Sequence, residues 1–97
     1  MNSEFKSRQI YPEPRSSVFS IEFHLPEDAI VTLSILSQQG KIIDQVIDKE
    51  KYQSGRHKID FDRAKCNGEL CFYRLSMRTD RQEVVDTKKI IAEIHST

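Results

Sequence analysis

Between Phe19 and Leu25 every second residue is large and apolar: Phe19, Ile21, Phe23 and Leu25 alternate with Ser20, Glu22 and His24. An extended strand sends successive side chains to opposite faces, so this run has one apolar face and one polar face. The same period returns at Val31, Leu33 and Ile35, separated by Thr32 and Ser34, and at Ile59 and Phe61 among Lys58, Asp60 and Asp62. From Leu70 to Met77 one face carries Cys71, Tyr73, Leu75 and Met77 and the other Phe72 and Arg74. Apolar groups on both faces predict a central strand there.

The remaining strands follow from weaker signals. Gln9-Ile10-Tyr11 reads as a short edge strand ended by Pro12 and Pro14. The segment 41–49 would also line one face of a short helix with Ile42, Ile43, Val46 and Ile47, but its three isoleucines and one valine favour a strand. A last strand is expected from about Val84 to Ile94, with Ile90, Ala92 and Ile94 in step. Turns are expected at Pro26-Glu27-Asp28, Gln39-Gly40 (as a hairpin), Ser54-Gly55, Asn67-Gly68 and Thr79–Gln82. About seven short antiparallel strands, punctuated in this way, predict an all-β sandwich. The expected core is Phe19, Ile21, Phe23, Leu25, Val31, Leu33, Ile35, Ile59, Phe61, Tyr73, Leu75, Ile90 and Ala92.

A chain of 97 residues is enough for one domain and too short for two. The expected division is a disordered segment over 1–8, the sandwich over 9–94 and a frayed tail over 95–97. Fifteen basic side chains meet fifteen acidic ones. Nucleic-acid binders neutralise phosphate with a basic excess, and no such excess exists here. No apolar run approaches the ~20 residues of a membrane helix, so membrane insertion is not expected.

Catalytic and metal chemistry find little to stand on. His24 faces outward on its strand, His95 lies in the expected tail, and His57 is in phase with Ile59 and Phe61, a structural position at a sheet edge. Asp60 and Asp62 share a strand face about 7 Å apart. With a nearby loop carboxylate they would suit calcium, which takes oxygen ligands, but a solvated face paired with Lys58 or Arg63 is the preferred reading. Cys66 and Cys71 are too few for a disulfide framework and lack the Cys-x-x-Cys spacing. Cys71, in phase with Tyr73, is expected to be a buried, inert thiol and Cys66 to sit in the loop, with a thiol–disulfide switch as the alternative. No catalytic residue, metal ligand or cofactor is therefore expected. Tyr73 is expected in the core, whereas Tyr11 fits either the core or a binding face.

Six short motifs stand in a telling order: Tyr11-Pro12-Glu13-Pro14; a strand ending in Leu25-Pro26; Val31-Thr32-Leu33-Ser34-Ile35 followed by Gly40-Lys41; Ser54-Gly55-Arg56-His57; Cys71-Phe72-Tyr73-Arg74-Leu75; and Thr87-Lys88-Lys89-Ile90-Ile91. With these the chain resembles the C-terminal sorting domain of proteins exported by the bacterial type IX secretion system, a domain related to the immunoglobulin-like domain of the flagellar hook-capping protein. The sequence departs from that family at Glu13, where Asn is usual, at Arg15, where Phe is frequent, and at Cys71, which replaces an aromatic residue. Its Asn67-Gly68 also stands about one residue away from the family's Ser-Gly.

The resemblance implies an immunoglobulin/fibronectin-like sandwich that acts as a non-catalytic sorting and anchoring domain, with the secretion machinery as its protein partner. It also implies that the terminal region is what the machinery recognises, which makes Thr87, Lys88, Lys89, Ile90 and Ile91 the candidate recognition residues. The two lysines read equally well as protection of an edge strand from aggregation. The alternative function is a stand-alone immunoglobulin-like module that binds a protein partner. Either way a monomer is expected. The expected compartment is the cell surface or exterior for part of a longer exported protein, and the cytoplasm for a chain that starts at Met1.

Overall fold

The computed structural model describes residues 5–10 and 17–90. Among the described residues seven strands form two antiparallel sheets: β1 (Lys6–Ile10), β2 (Val18–Leu25), β3 (Ala29–Ser37), β4 (Ile42–Tyr52), β5 (Gly55–Asp62), β6 (Cys71–Arg78) and β7 (Glu83–Lys89). One sheet has the order β1-β2-β5 and the other β4-β3-β6-β7. This three-on-four packing is the immunoglobulin/fibronectin-like sandwich. A short 3-10 turn, Arg63–Cys66, links β5 to β6.

The period-two faces build the core. Phe19, Ile21, Phe23 and Leu25 point inward from β2 and meet Val31, Leu33 and Ile35 of β3 and Tyr73, Leu75 and Met77 of β6; all ten are essentially inaccessible to solvent. β6 is central, between β3 and β7, as its two apolar faces predict. The β3–β4 connection is the expected hairpin at Gln39-Gly40, where Gly40 takes φ +86°. The Thr79–Gln82 tip closes the β6–β7 hairpin with a 2.9 Å backbone bond.

Four expectations are corrected. The first strand begins at Lys6, so Lys6, Ser7 and Arg8 belong to a sheet rather than to a disordered segment. Their composition hides this, because the inward residue Ser7 is polar. Ile59 is only partly buried against the core; among the described residues β5 is an edge strand, paired on one side alone. Cys66 is buried, on the 3-10 turn, and is bonded to Cys71 with 6.2 Å between Cα atoms. Cys71 is thus buried as expected but is half of a disulfide rather than a free thiol. The core also takes in Ala29, Ile47, Cys66, Cys71 and Met77, which lie outside the expected set. Tyr11, Ile91, Ala92, Ile94 and His95 lie outside the described residues, as do the segments 1–4 and 95–97.

Candidate functional site

β7 carries the candidate recognition residues Thr87, Lys88 and Lys89, and among the described residues it is an edge strand paired only with β6. Its register sets Lys89 opposite Phe72, Lys88 opposite Tyr73 and Thr87 opposite Arg74. Pleating then divides the strand into two sets. Val84, Asp86, Lys88 and Ile90 share the face of buried Tyr73 and Leu75, whereas Val85, Thr87 and Lys89 share the outer face of the sheet with Phe72, Arg74 and Ser76. Thr87 and Lys89 are exposed, and Val85 is 54% exposed. Ile90 is buried in the core, and its N–H donates to the Cys71 carbonyl at 2.9 Å. Ile91 lies outside the described residues. The five sequence candidates therefore do not converge on one face.

The inner set meets β1 across the seam between the sheets. Ser7 Oγ donates to Asp86 Oδ2 at 2.5 Å and lies 2.8 Å from the Tyr73 hydroxyl. A serine has one hydroxyl proton, so with that proton on Asp86 the phenol of Tyr73 donates to Ser7. Lys88 Nζ donates to the Ser7 carbonyl at 2.6 Å and stands 3.6 Å from Asp86 Oδ2. Gln9 Nε2 donates to the Lys89 carbonyl at 2.9 Å. Burial pushes the Tyr73 phenol above its ordinary value; the Ser7 hydrogen bond works against this and the Asp86 charge adds to it. Phe5, Ser7, Val84, Asp86 and Lys88 are among the residues lining the shallow groove at this seam.

Elsewhere His57, Asp60 and Asp62 have structural partners. His57 lies between the rings of Phe23 and Tyr52, with centroids 5.4 and 5.0 Å away, and its Nε2–H donates to the Gln53 carbonyl at 2.7 Å. Asp60 accepts from Ser20 Oγ at 2.7 Å, and Asp62 caps the 3-10 turn by accepting from the Ala64 N–H at 2.9 Å. That hydrogen bond holds the Asp62 carboxyl below its ordinary value. The two aspartates thus hold hydrogen bonds from Ser20 and Ala64, and the charges of Lys65 and Arg63 also act on Asp62. Among the described residues no three His, Cys, Asp or Glu side chains cluster as a metal site, and no helix is long and apolar enough to cross a membrane. A second depression, between 27–30 and 78–81, is spanned by an Arg81–Glu27 ion pair at 2.9 Å and has mixed charge.

Sequence reasoning missed Ser7, Gln9 and Asp86. Each is a polar residue at an inward position, where an apolar one is the ordinary signal, so alternation alone passes over them. Phe72 and Arg74 were legible as the outer face of a central strand, but their cross-strand neighbours emerge only from the β6–β7 register.

Residues 9–93 match the family model described as the secretion system C-terminal sorting domain. No curated protein and no solved structure matches the chain. Of the two functions raised by the sequence, the match supports sorting, a non-catalytic role. Seven antiparallel strands in two sheets, with the matched span running from β1 through β7, place the chain plainly: it belongs to the family of C-terminal sorting domains of type IX secretion.

Proposed function

We propose that the type IX machinery reads this domain on the outer face of its last described strand, with Thr87 and Lys89 as the recognised side chains. Phe72 and Arg74 flank them on β6. The observation that carries this reading is the division of the strand: of the five candidates, Thr87 and Lys89 combine exposure with an outward direction. Lys88 is occupied at the Ser7 carbonyl and Ile90 by the core. Lys89 supplies a point charge, Thr87 a small hydroxyl and Phe72 an apolar plane beside them. That mixture is typical of a protein-binding surface centred on an aromatic residue with a polar surround.

The sandwich makes and breaks no bond in this role. Its work is to hold a strand in one conformation, so that the machinery meets a preformed surface and does not bear the cost of ordering it. The test is export of a reporter that carries its own export signal and is fused to residues 1–97, in a bacterium with the type IX system. Thr87→Ala together with Lys89→Ala should lower the surface-displayed reporter about tenfold, the effect of losing contacts worth about 1.4 kcal/mol. Display at the wild-type level would refute the assignment to these two residues.

A further inference from the structure

β1 and β7 border the same seam but share no backbone ladder: among the described residues β1 pairs with β2 alone and β7 with β6 alone. What joins them is a set of directional side-chain bonds. Ser7 reaches Asp86 at 2.5 Å, Lys88 reaches the Ser7 carbonyl at 2.6 Å and Gln9 reaches the Lys89 carbonyl at 2.9 Å, while buried Tyr73 meets Ser7 at 2.8 Å. Ser7 is the hub, touching three of these partners, and it is itself buried. Lys6, Ser7 and Arg8 precede the span 9–93 that defines the family match, so the hub lies outside what the family pattern contains.

Apolar burial is non-directional and leaves an edge strand free to shift or fray. Hydrogen bonds of this kind specify one arrangement, because a displaced strand leaves buried polar groups unsatisfied. Asp86 and Lys88 alternate along β7 with Thr87 and Lys89. Fixing the inner pair therefore fixes the direction of the outer pair.

We infer that Ser7, Asp86 and Lys88 are positioning residues, a clasp from the first strand that holds β7 in the arrangement in which its outer face is recognised. This rests on the reading that the machinery binds Thr87 and Lys89. Through the clasp, the segment entering the domain at β1 and the strand presented at β7 form one mechanical unit. Unseating β1 withdraws the partner of Asp86, Lys88 and Tyr73 together.

The experiment pairs residue-resolved amide hydrogen exchange of the 97-residue chain with surface display of the reporter fusion. In Ser7→Ala the amides of β7 should exchange about tenfold faster while those of β3 keep their wild-type rates, and display should fall. Ser7→Thr, which keeps the hydroxyl, should restore both. Unchanged exchange in β7, or equal acceleration in β3 and β7, overturns the clasp. Loosened β7 amides with wild-type display overturn its positioning role. If Ser7→Ala fails to fold, Lys88→Met, which removes the bond to the Ser7 carbonyl and the ion pair with Asp86, should show the same pattern at smaller amplitude, and rigid β7 amides in that variant would overturn the clasp equally. Wild-type display by the Thr87/Lys89 variant removes the recognition reading instead. The two failures are distinguishable, because exchange in β7 is measured without the machinery.

Discussion

The Tyr73 hydroxyl shows how a single buried polar atom ties chemistry to fold. Tyr73 belongs to the core cluster, and the hydrogen-bond partner of its hydroxyl is Ser7. Because burial raises its pKa, the folded state holds the phenol proton more tightly than the unfolded chain does. The resulting stability is fully present below the unfolded value of about 10 and is lost as pH rises through the higher folded value. Tyr52, also raised by burial, acts in the same direction. Thermal melts should therefore show stability falling above about pH 10, and Tyr73→Phe should flatten part of that decline. At neutral pH the same variant should lose about 1 kcal/mol, from one hydrogen bond; a variant with an unaltered alkaline limb would show that Tyr73 does not carry the effect. The aromatic identity and burial of Tyr73 were legible from its phase with Leu75. Its partner was not, because nothing in the sequence joins position 7 to position 73.

At the scale of elements, the Cys66–Cys71 bond closes a small loop around Asn67-Gly68, where both residues take positive φ (58° and 75°). It pins the start of β6, and the Cys71 carbonyl in turn holds Ile90 just past β7. By the loop-entropy argument a closure this short contributes about 2 kcal/mol. Reduction, or Cys66→Ala with Cys71→Ala, should lower the melting temperature by about 10 °C and speed amide exchange at Ile90 more than in β2. No difference between oxidised and reduced protein would contradict the structural role of the bond.

The elements themselves show what alternation can and cannot convey. β2, β3 and β6 carry their inward apolar residues at a period of two, although Leu36 and Phe72 add apolar groups out of phase, and were legible from that period. In β4 the phase breaks: pairing with β3 is irregular between Val31 and Leu33, between Leu33 and Ser34 and between Ile35 and Leu36, and Lys49 takes φ +53°. Bulges of this kind add residues to one strand and shift the faces, which is why 41–49 also fitted a helix. Ile42 ends up half exposed while Ile47 is buried. β1 was legible only at its C-terminal end, because its inner face is closed by hydrogen bonds to another sheet rather than by apolar burial.

For the whole molecule, the proposed recognition face lies outside the layer that carries stability. The core between the sheets holds the fold: Leu33→Ala should cost about 3 kcal/mol through lost burial and a cavity, and should lower the denaturation midpoint. The outer face of β6 and β7 is separate from that core, so Thr87→Ala with Lys89→Ala should leave the midpoint within about 0.5 kcal/mol of wild type while reducing display. A fall in both would place the two side chains in the structural layer instead. The fold class and the family were legible because strand period and turn residues are local properties. The division of β7 into two faces and its bonds to β1 were not, because they depend on which strands become neighbours.

The most direct measurement is the location of a reporter fused to residues 1–97, compared between a bacterium with an intact type IX system and the same strain with that system disabled. Sorting by this domain predicts reporter on the surface of the first and held in the periplasm of the second. Folded reporter retained in the periplasm of both would contradict it.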